Sequence, residues 1–122
     1  MEAENLKERT KSFALGVARV VAALPMNPGC HLLGGQLLRA GTSVGANYRA
    51  SCRAKSRADF IAKLKIVEEE CDESLYWMEL LAEIGHVNAK SVEALMSVGN
   101  QILSIIVASI RTARSHASRH DP

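Results

Sequence analysis

The chain has 122 residues, the size of one folding domain; 48% of them are hydrophobic and 23% are charged. Those proportions exclude wholesale disorder, and three Pro and eight Gly exclude collagen-like or low-complexity sequence. A formal net charge of +2 is too small to make the whole chain basic. Any nucleic-acid surface must therefore come from local clustering of cations.

Cysteine usage and the lack of targeting signals indicate a cytoplasmic protein. Cys30, Cys52 and Cys71 are an odd number without C-x-x-C spacing, which favours reduced thiols over a disulfide framework. The acidic residues 1–4 predict no signal peptide. The most apolar run, residues 102–110, is far short of the roughly 20 residues that a membrane helix needs, so no membrane partner is expected.

Two helices are predicted in the first half of the chain, because apolar residues recur there at steps of three and four. The first covers residues 4–24, carries Phe13 and Val17 on one face, and is ended by Pro25 together with Pro28. The second covers residues 30–55.

Ser56 and Asp59 have the spacing of a capping box, which predicts that the chain breaks at Ser56 and starts a third helix over residues 57–84. Gly85 then stands where a C-cap glycine is expected. A single long helix through this point is the alternative, since neither Gly nor Pro separates the two segments.

A fourth helix is predicted over residues 89–114, followed by a polar tail at residues 115–122. No stretch alternates with a period of two, so the chain is predicted to be all-α. Short links favour antiparallel neighbours, and the predicted architecture is a single-domain, up-down-up-down four-helix bundle over residues 1–122.

The predicted turn at Ser56 also fixes a register. Residues of the second and third helices whose numbers sum to about 112 face each other, which places Arg39 opposite Glu73 with Glu70 one turn away. A guanidinium between two carboxylates suits a structural ion pair that tolerates partial burial, and we favour that interpretation over a catalytic one.

Three segments carry a resemblance to a known family: residues 36–47 (QLLRAGTSVGAN), 56–61 (SRADFI) and 70–81 (ECDESLYWMELL). In order and spacing they resemble the bacterial "four helix bundle protein" family, also labelled the 23S ribosomal RNA intervening-sequence or ribosomal-protein-like family. The likeness covers about residues 6–114. It implies an antiparallel bundle and assembly of five bundles into a ring. A related accessory protein of diversity-generating retroelements is a basic pentameric barrel that engages nucleic acid and a reverse transcriptase, which transfers here only by analogy.

Tyr76 and Trp77 lie in an apolar zone of the third helix that is too wide for one stripe. A broad core face is one interpretation. We favour the other, a subunit interface, because exposed large apolar patches usually indicate a partner.

The predicted nucleic-acid site is a cluster of cations around the turn at Ser56: Arg49, Arg53, Lys55, Arg57 and Lys63. Asp59 is the acid among them, and a merely solvated charge run is the competing interpretation. Arg49, Arg53 and Arg57 are spaced by four, which lines them on one face if the helix continues through them.

No catalytic residue, metal site or cofactor is predicted. Glu83 and His86 form a single E-x-x-H, whereas a di-iron bundle needs two such motifs and two further Glu residues. His116 and His120 would chelate a metal only if the tail stayed helical, and Cys52 has no neighbouring His.

Two functions follow from these features. The first is a non-catalytic homo-oligomer, expected to be a pentamer, that serves as a scaffold for RNA or DNA, RNA being favoured, and for another protein. The second is a structural or protein-interaction module that binds no nucleic acid.

Overall fold

The computed structural model describes the backbone of residues 2–120 and the side chains of residues 5–116. Four helices make up this part of the chain: α1 (Glu2–Ala22), α2 (Pro28–Ser51), α3 (Arg57–Ile84) and α4 (Ala89–His120). Residues 2–120 contain no strand. The all-α prediction is confirmed.

The link between α1 and α2 lies two residues earlier than predicted, at residues 23–27 instead of 25–29, because α1 ends at Ala22 and Pro28 begins α2 instead of ending α1. Proline is favoured at the first helical position, where its missing N–H costs no hydrogen bond. Asn27 is the N-cap, and its side-chain oxygen accepts a hydrogen bond from the Cys30 amide at 2.8 Å.

The predicted break at Ser56 is present. Ser56 is the N-cap of α3, its hydroxyl accepting from the Asp59 amide at 3.0 Å. The Asp59 carboxylate accepts in turn from the Lys55 amide at 3.0 Å. α2 ends at Ser51, four residues before the predicted end, and residues 52–56 form the link. The amides of Arg53 and Ala54 donate to carbonyls three residues back, and the Lys55 amide is taken by Asp59.

The fourth helix is longer than predicted and runs to His120, since nothing in residues 115–120 is a helix breaker. The expected polar tail is therefore helical to that point. The stretch Ala89–His116 is also long and apolar enough to cross a membrane by length and composition alone, contrary to the estimate from residues 102–110. Its residues Ile102, Ile106 and Ile110 are buried in the core.

The helices surround one hydrophobic core, and each packs against its neighbours in the cyclic order α1–α2–α3–α4. Small residues let α1 approach α2: a Cβ added at Gly41 would lie 2.8 Å from both methyl groups of Val17. Gly35, by contrast, faces open space. The largest fully buried side chains come from all four helices: Phe13, Leu37, Leu64, Met78, Leu81, Ile102 and Ile106.

Candidate nucleic-acid interface

The antiparallel order brings the start of α1, the end of α2, the start of α3 and the end of α4 to one end of the bundle. At 1.5 Å rise per residue, most of the fifteen Lys and Arg residues lie within roughly three turns of that end. We call this surface the basic end. Its members are Lys7, Arg9, Lys11, Arg49, Arg53, Lys55, Arg57, Lys63, Lys65, Arg111 and Arg114.

The predicted cations all belong to the basic end, and four of them are exposed. Arg49 lies in the last turn of α2, Arg53 and Lys55 in the link, and Arg57 at the first position of α3. The helical alignment of Arg49, Arg53 and Arg57 does not form, because α2 ends at Ser51. They share an end of the bundle and not a helix face.

Lys63 is the exception among the predicted cations, because its ammonium pairs with the Asp59 carboxylate at 2.5 Å. This hydrogen bond, followed by the one from the Lys55 amide, lowers the pKa of Asp59 below its ordinary value. Asp59 therefore stays ionised and neutralises Lys63. The charge available to a ligand comes from the other cations.

Sequence reasoning missed the contributions of α1 and α4. Lys7 and Lys11 line a groove of about 330 Å³ between α1 and α2, with Arg49 on its other wall. Arg111 and Arg114 line a cleft between α3 and α4 together with Lys65. The predicted antiparallel topology places the start of α1 and the end of α4 beside the Ser56 turn, so their cations could have been predicted to join the cluster.

A larger groove, of about 800 Å³, lies between the first turn of α3 and the C-terminal half of α4. We call it the α3–α4 groove. Arg57 and Phe60 contribute from α3. One face of α4, on which most side chains are small, contributes Ser104, Ile105, Ala108, Ser109, Thr112, Ala113 and His116. Arg9 of α1 reaches α4 at Gln101, where its Nη2 donates to Oε1 at 2.5 Å. None of the residues lining the groove comes from α1.

The predicted ion pair is present near the middle of the bundle. Arg39 Nη2 donates to Glu73 Oε1 at 2.6 Å, and Nη1 donates to Glu70 Oε2 at 3.2 Å. These contacts, the Glu73 hydrogen bond foremost, raise the pKa of Arg39. The Arg39 side chain is 50% exposed, whereas those of Glu70 and Glu73 are 19% and 35% exposed, so the pair lies at the surface with its carboxylates partly buried.

Tyr76 and Trp77 differ in burial. Tyr76 is 53% exposed, whereas Trp77 is half-buried against the core and donates from Nε1 to Glu73 Oε1 at 3.2 Å. The core interpretation therefore fits Trp77 in part, whereas a subunit interface at Tyr76 stays a prediction. Leu32 (65% exposed) and Ile84 (53% exposed) lie toward the same end of α2 and α3 as Tyr76. We call Leu32, Tyr76 and Ile84 the apolar patch.

The residues considered for metal or thiol chemistry are dispersed. No group of three or more His, Cys, Asp or Glu side chains converges among residues 5–116. Cys52 is exposed, whereas Cys30 and Cys71 are buried, and burial raises the pKa of the Cys71 thiol to about 12. The side chain of His120 lies outside the described residues.

Comparison with known proteins gives a family but no activity. The sequence model of the family described as 23S rRNA-intervening sequence protein matches residues 4–108. A comparison with curated proteins found no match. A protein of unknown function from the S23 ribosomal protein family of Bacteroides thetaiotaomicron, solved by crystallography at 1.70 Å, is 32% identical, with 91% of this chain and 99% of that chain covered and a TM-score of 0.84. With this fold and these matches, the chain belongs to the 23S rRNA-intervening sequence protein family.

Proposed function

We propose that the protein is a non-catalytic homo-oligomer, assembled as a pentamer, that binds nucleic acid through the basic end. The observation that carries this proposal is the convergence of cations from all four helices on one end of the bundle. Phosphates are the ligands that a dense, exposed set of Lys and Arg side chains attracts most strongly. RNA is the favoured ligand, in keeping with the name of the family.

Oligomer formation is assigned to the apolar patch. Exposed large apolar side chains are typical of protein interfaces, and Leu32, Tyr76 and Ile84 are each more than half exposed. In a ring with cyclic symmetry every subunit presents the same end to the same face. Five basic ends would then form one surface, and individually weak phosphate contacts would add up to appreciable avidity.

The test is RNA and DNA affinity across a salt series for the wild-type chain and for Arg49→Glu/Arg53→Glu. The matched control is Arg19→Glu/Lys90→Glu, which changes the net charge equally at the opposite end. We expect wild type and control to bind with a steep salt dependence, about −0.9 in log–log slope per duplex phosphate neutralised, and the Arg49→Glu/Arg53→Glu variant to bind more weakly with a shallower slope.

The second candidate is a structural or protein-interaction module that binds no nucleic acid. The apolar patch favours it, because Leu32, Tyr76 and Ile84 would then hold a partner protein. This function predicts no binding of RNA or DNA even at low salt. Equal affinities and slopes for the wild type and Arg49→Glu/Arg53→Glu would also count against the basic end.

A further inference from the structure

We propose that the α3–α4 groove receives an unpaired nucleobase, so that the basic end prefers single-stranded over double-stranded RNA. This inference rests on the proposed function, because it adds a base site to a surface already proposed to hold phosphates. Three features of the groove carry it: an aromatic side chain, a cation beside that ring in sequence and space, and a volume that exceeds the space one base requires.

The first feature is Phe60, the aromatic side chain among the groove residues. It is half-buried, so part of the ring packs against the core while the rest faces the groove. Aromatic side chains on nucleic-acid-binding surfaces stack on bases, and stacking tolerates any base because each has a π face. The ring is held by the first turn of α3, which the Ser56 cap fixes.

The second feature is charge. Arg57 lines the groove and is exposed, and Arg53 and Lys55 of the adjoining link are exposed as well. A nucleotide combines an apolar base face with an anionic phosphate. An apolar groove edged by Arg57 matches both parts, whereas a purely apolar ligand would leave the cation unused.

The third feature is the volume of the groove, which depends on the side chains that α4 contributes to its wall. Ala108 leaves the groove open, and Ser109 and Thr112 add hydroxyl groups beside it. The Ser109 hydroxyl donates to the Ile105 carbonyl at 2.8 Å, which leaves its oxygen lone pairs as acceptors for a base amino group. Bases inside an RNA duplex are not available for such insertion, so the groove selects unpaired nucleotides.

The experiment compares three probes: a mixed-sequence 12-nucleotide RNA, the same 12-mer with its central bases removed, which keeps the phosphate chain, and the duplex of the 12-mer, which has twice the phosphates but no unpaired base. Wild type is expected to bind the intact single strand most tightly. Phe60→Leu keeps an apolar side chain but removes the ring. It should lower single-strand affinity by about 5- to 150-fold, the range expected for one stacked base, while duplex affinity changes less than about twofold.

Two further variants make the test specific. Phe13→Leu removes a fully buried ring remote from the groove, so it reports any general effect on packing and should leave the preference intact. Ala108→Leu fills the groove from an exposed position and should abolish the preference without unfolding the chain.

Each failure has a distinct meaning. If the wild type binds none of the three RNA probes, the proposed function and this inference are both wrong. If wild type binds intact and abasic strands equally, or if Phe60→Leu weakens strand and duplex alike, the inference alone is overturned. If Ala108→Leu changes the oligomeric mass and leaves RNA affinity unchanged, the groove holds a second copy of the chain instead of a base.

Discussion

Arg39 of α2 and Glu73 of α3, 34 positions apart in the sequence, meet across the helix interface at 2.6 Å. Their contact matches the register predicted from the turn at Ser56, and Glu70 joins it one turn away. Glu73 Oε1 also accepts from Trp77 Nε1, so one carboxylate links the interhelical pair to the edge of the core.

Arg39→Met should cause only a small fall in the urea midpoint, because the guanidinium is half exposed and exposed pairs contribute little to stability. The fall should shrink in high salt, which screens surface charges. Urea unfolding at low and high ionic strength measures both effects. A large loss that is independent of salt would show that the pair is buried in solution.

Gly41→Ala should destabilise the protein, since the added Cβ would lie 2.8 Å from the methyl groups of Val17, whose branched side chain cannot move aside freely. Overpacking of this kind typically costs about 1–3 kcal/mol. Gly35→Ala is the matched control: it faces open space and should stabilise α2 by about 1 kcal/mol through helix propensity. If denaturant melts show that Gly41→Ala stabilises the protein as Gly35→Ala does, α1 and α2 do not approach closely at Gly41.

The buried Cys71 thiol should cause the free energy of unfolding to fall above about pH 9. Burial raises its pKa from 9.0 to about 12, so the unfolded chain loses this proton at a lower pH than the folded chain does. The contribution of the protonated thiol to the free energy of unfolding is complete below pH 9. It is lost as the pH rises toward 12, by at most about 1.4 kcal/mol per pH unit. The unfolding free energy of wild type minus that of Cys71→Ala, followed over this range, isolates the effect. A pH-independent difference would contradict it.

Tyr76→Glu should dissociate the oligomer without loss of helicity, because Tyr76 is exposed in the apolar patch. Trp77→Glu is a poorer probe, since Trp77 also packs against the core. Met26→Glu, at a fully exposed position of the link between α1 and α2, is the control and should keep the wild-type mass. Light scattering at micromolar concentration measures the masses. A wild-type species of 13.2 kDa would refute self-association.

Much of the fold could be predicted from local chemistry. The capping residues Ser56 and Asp59 located the turn, and that turn gave the Arg39–Glu73 register. The helix ends at Ser51 and His120 could not be read in the same way. At the first, hydrogen bonds to carbonyls three residues back precede the one from the Lys55 amide to Asp59, and the second depends on the lack of any breaker in a polar segment.

The candidate site was predicted less completely, because cations distant in sequence become neighbours only in the bundle. Arg49, Arg53, Lys55 and Arg57 were found as a local cluster, whereas Lys7 and Arg111 join them through topology. The burial of individual side chains was the other property that the sequence did not predict. Periodicity placed Tyr76 and Trp77 in one apolar zone, and only the packing of α3 separates the exposed ring from the half-buried one.

We propose that the ends of all four helices act as one nucleic-acid surface. The variant Arg111→Glu/Arg114→Glu tests this proposal, since these residues of α4 lie 55 and 58 positions after Ser56 in the sequence. We predict weaker RNA binding and a shallower salt slope than for the Arg19→Glu/Lys90→Glu control, which should bind as the wild type does. Wild-type affinity and slope in Arg111→Glu/Arg114→Glu would contradict a surface shared by the four helices.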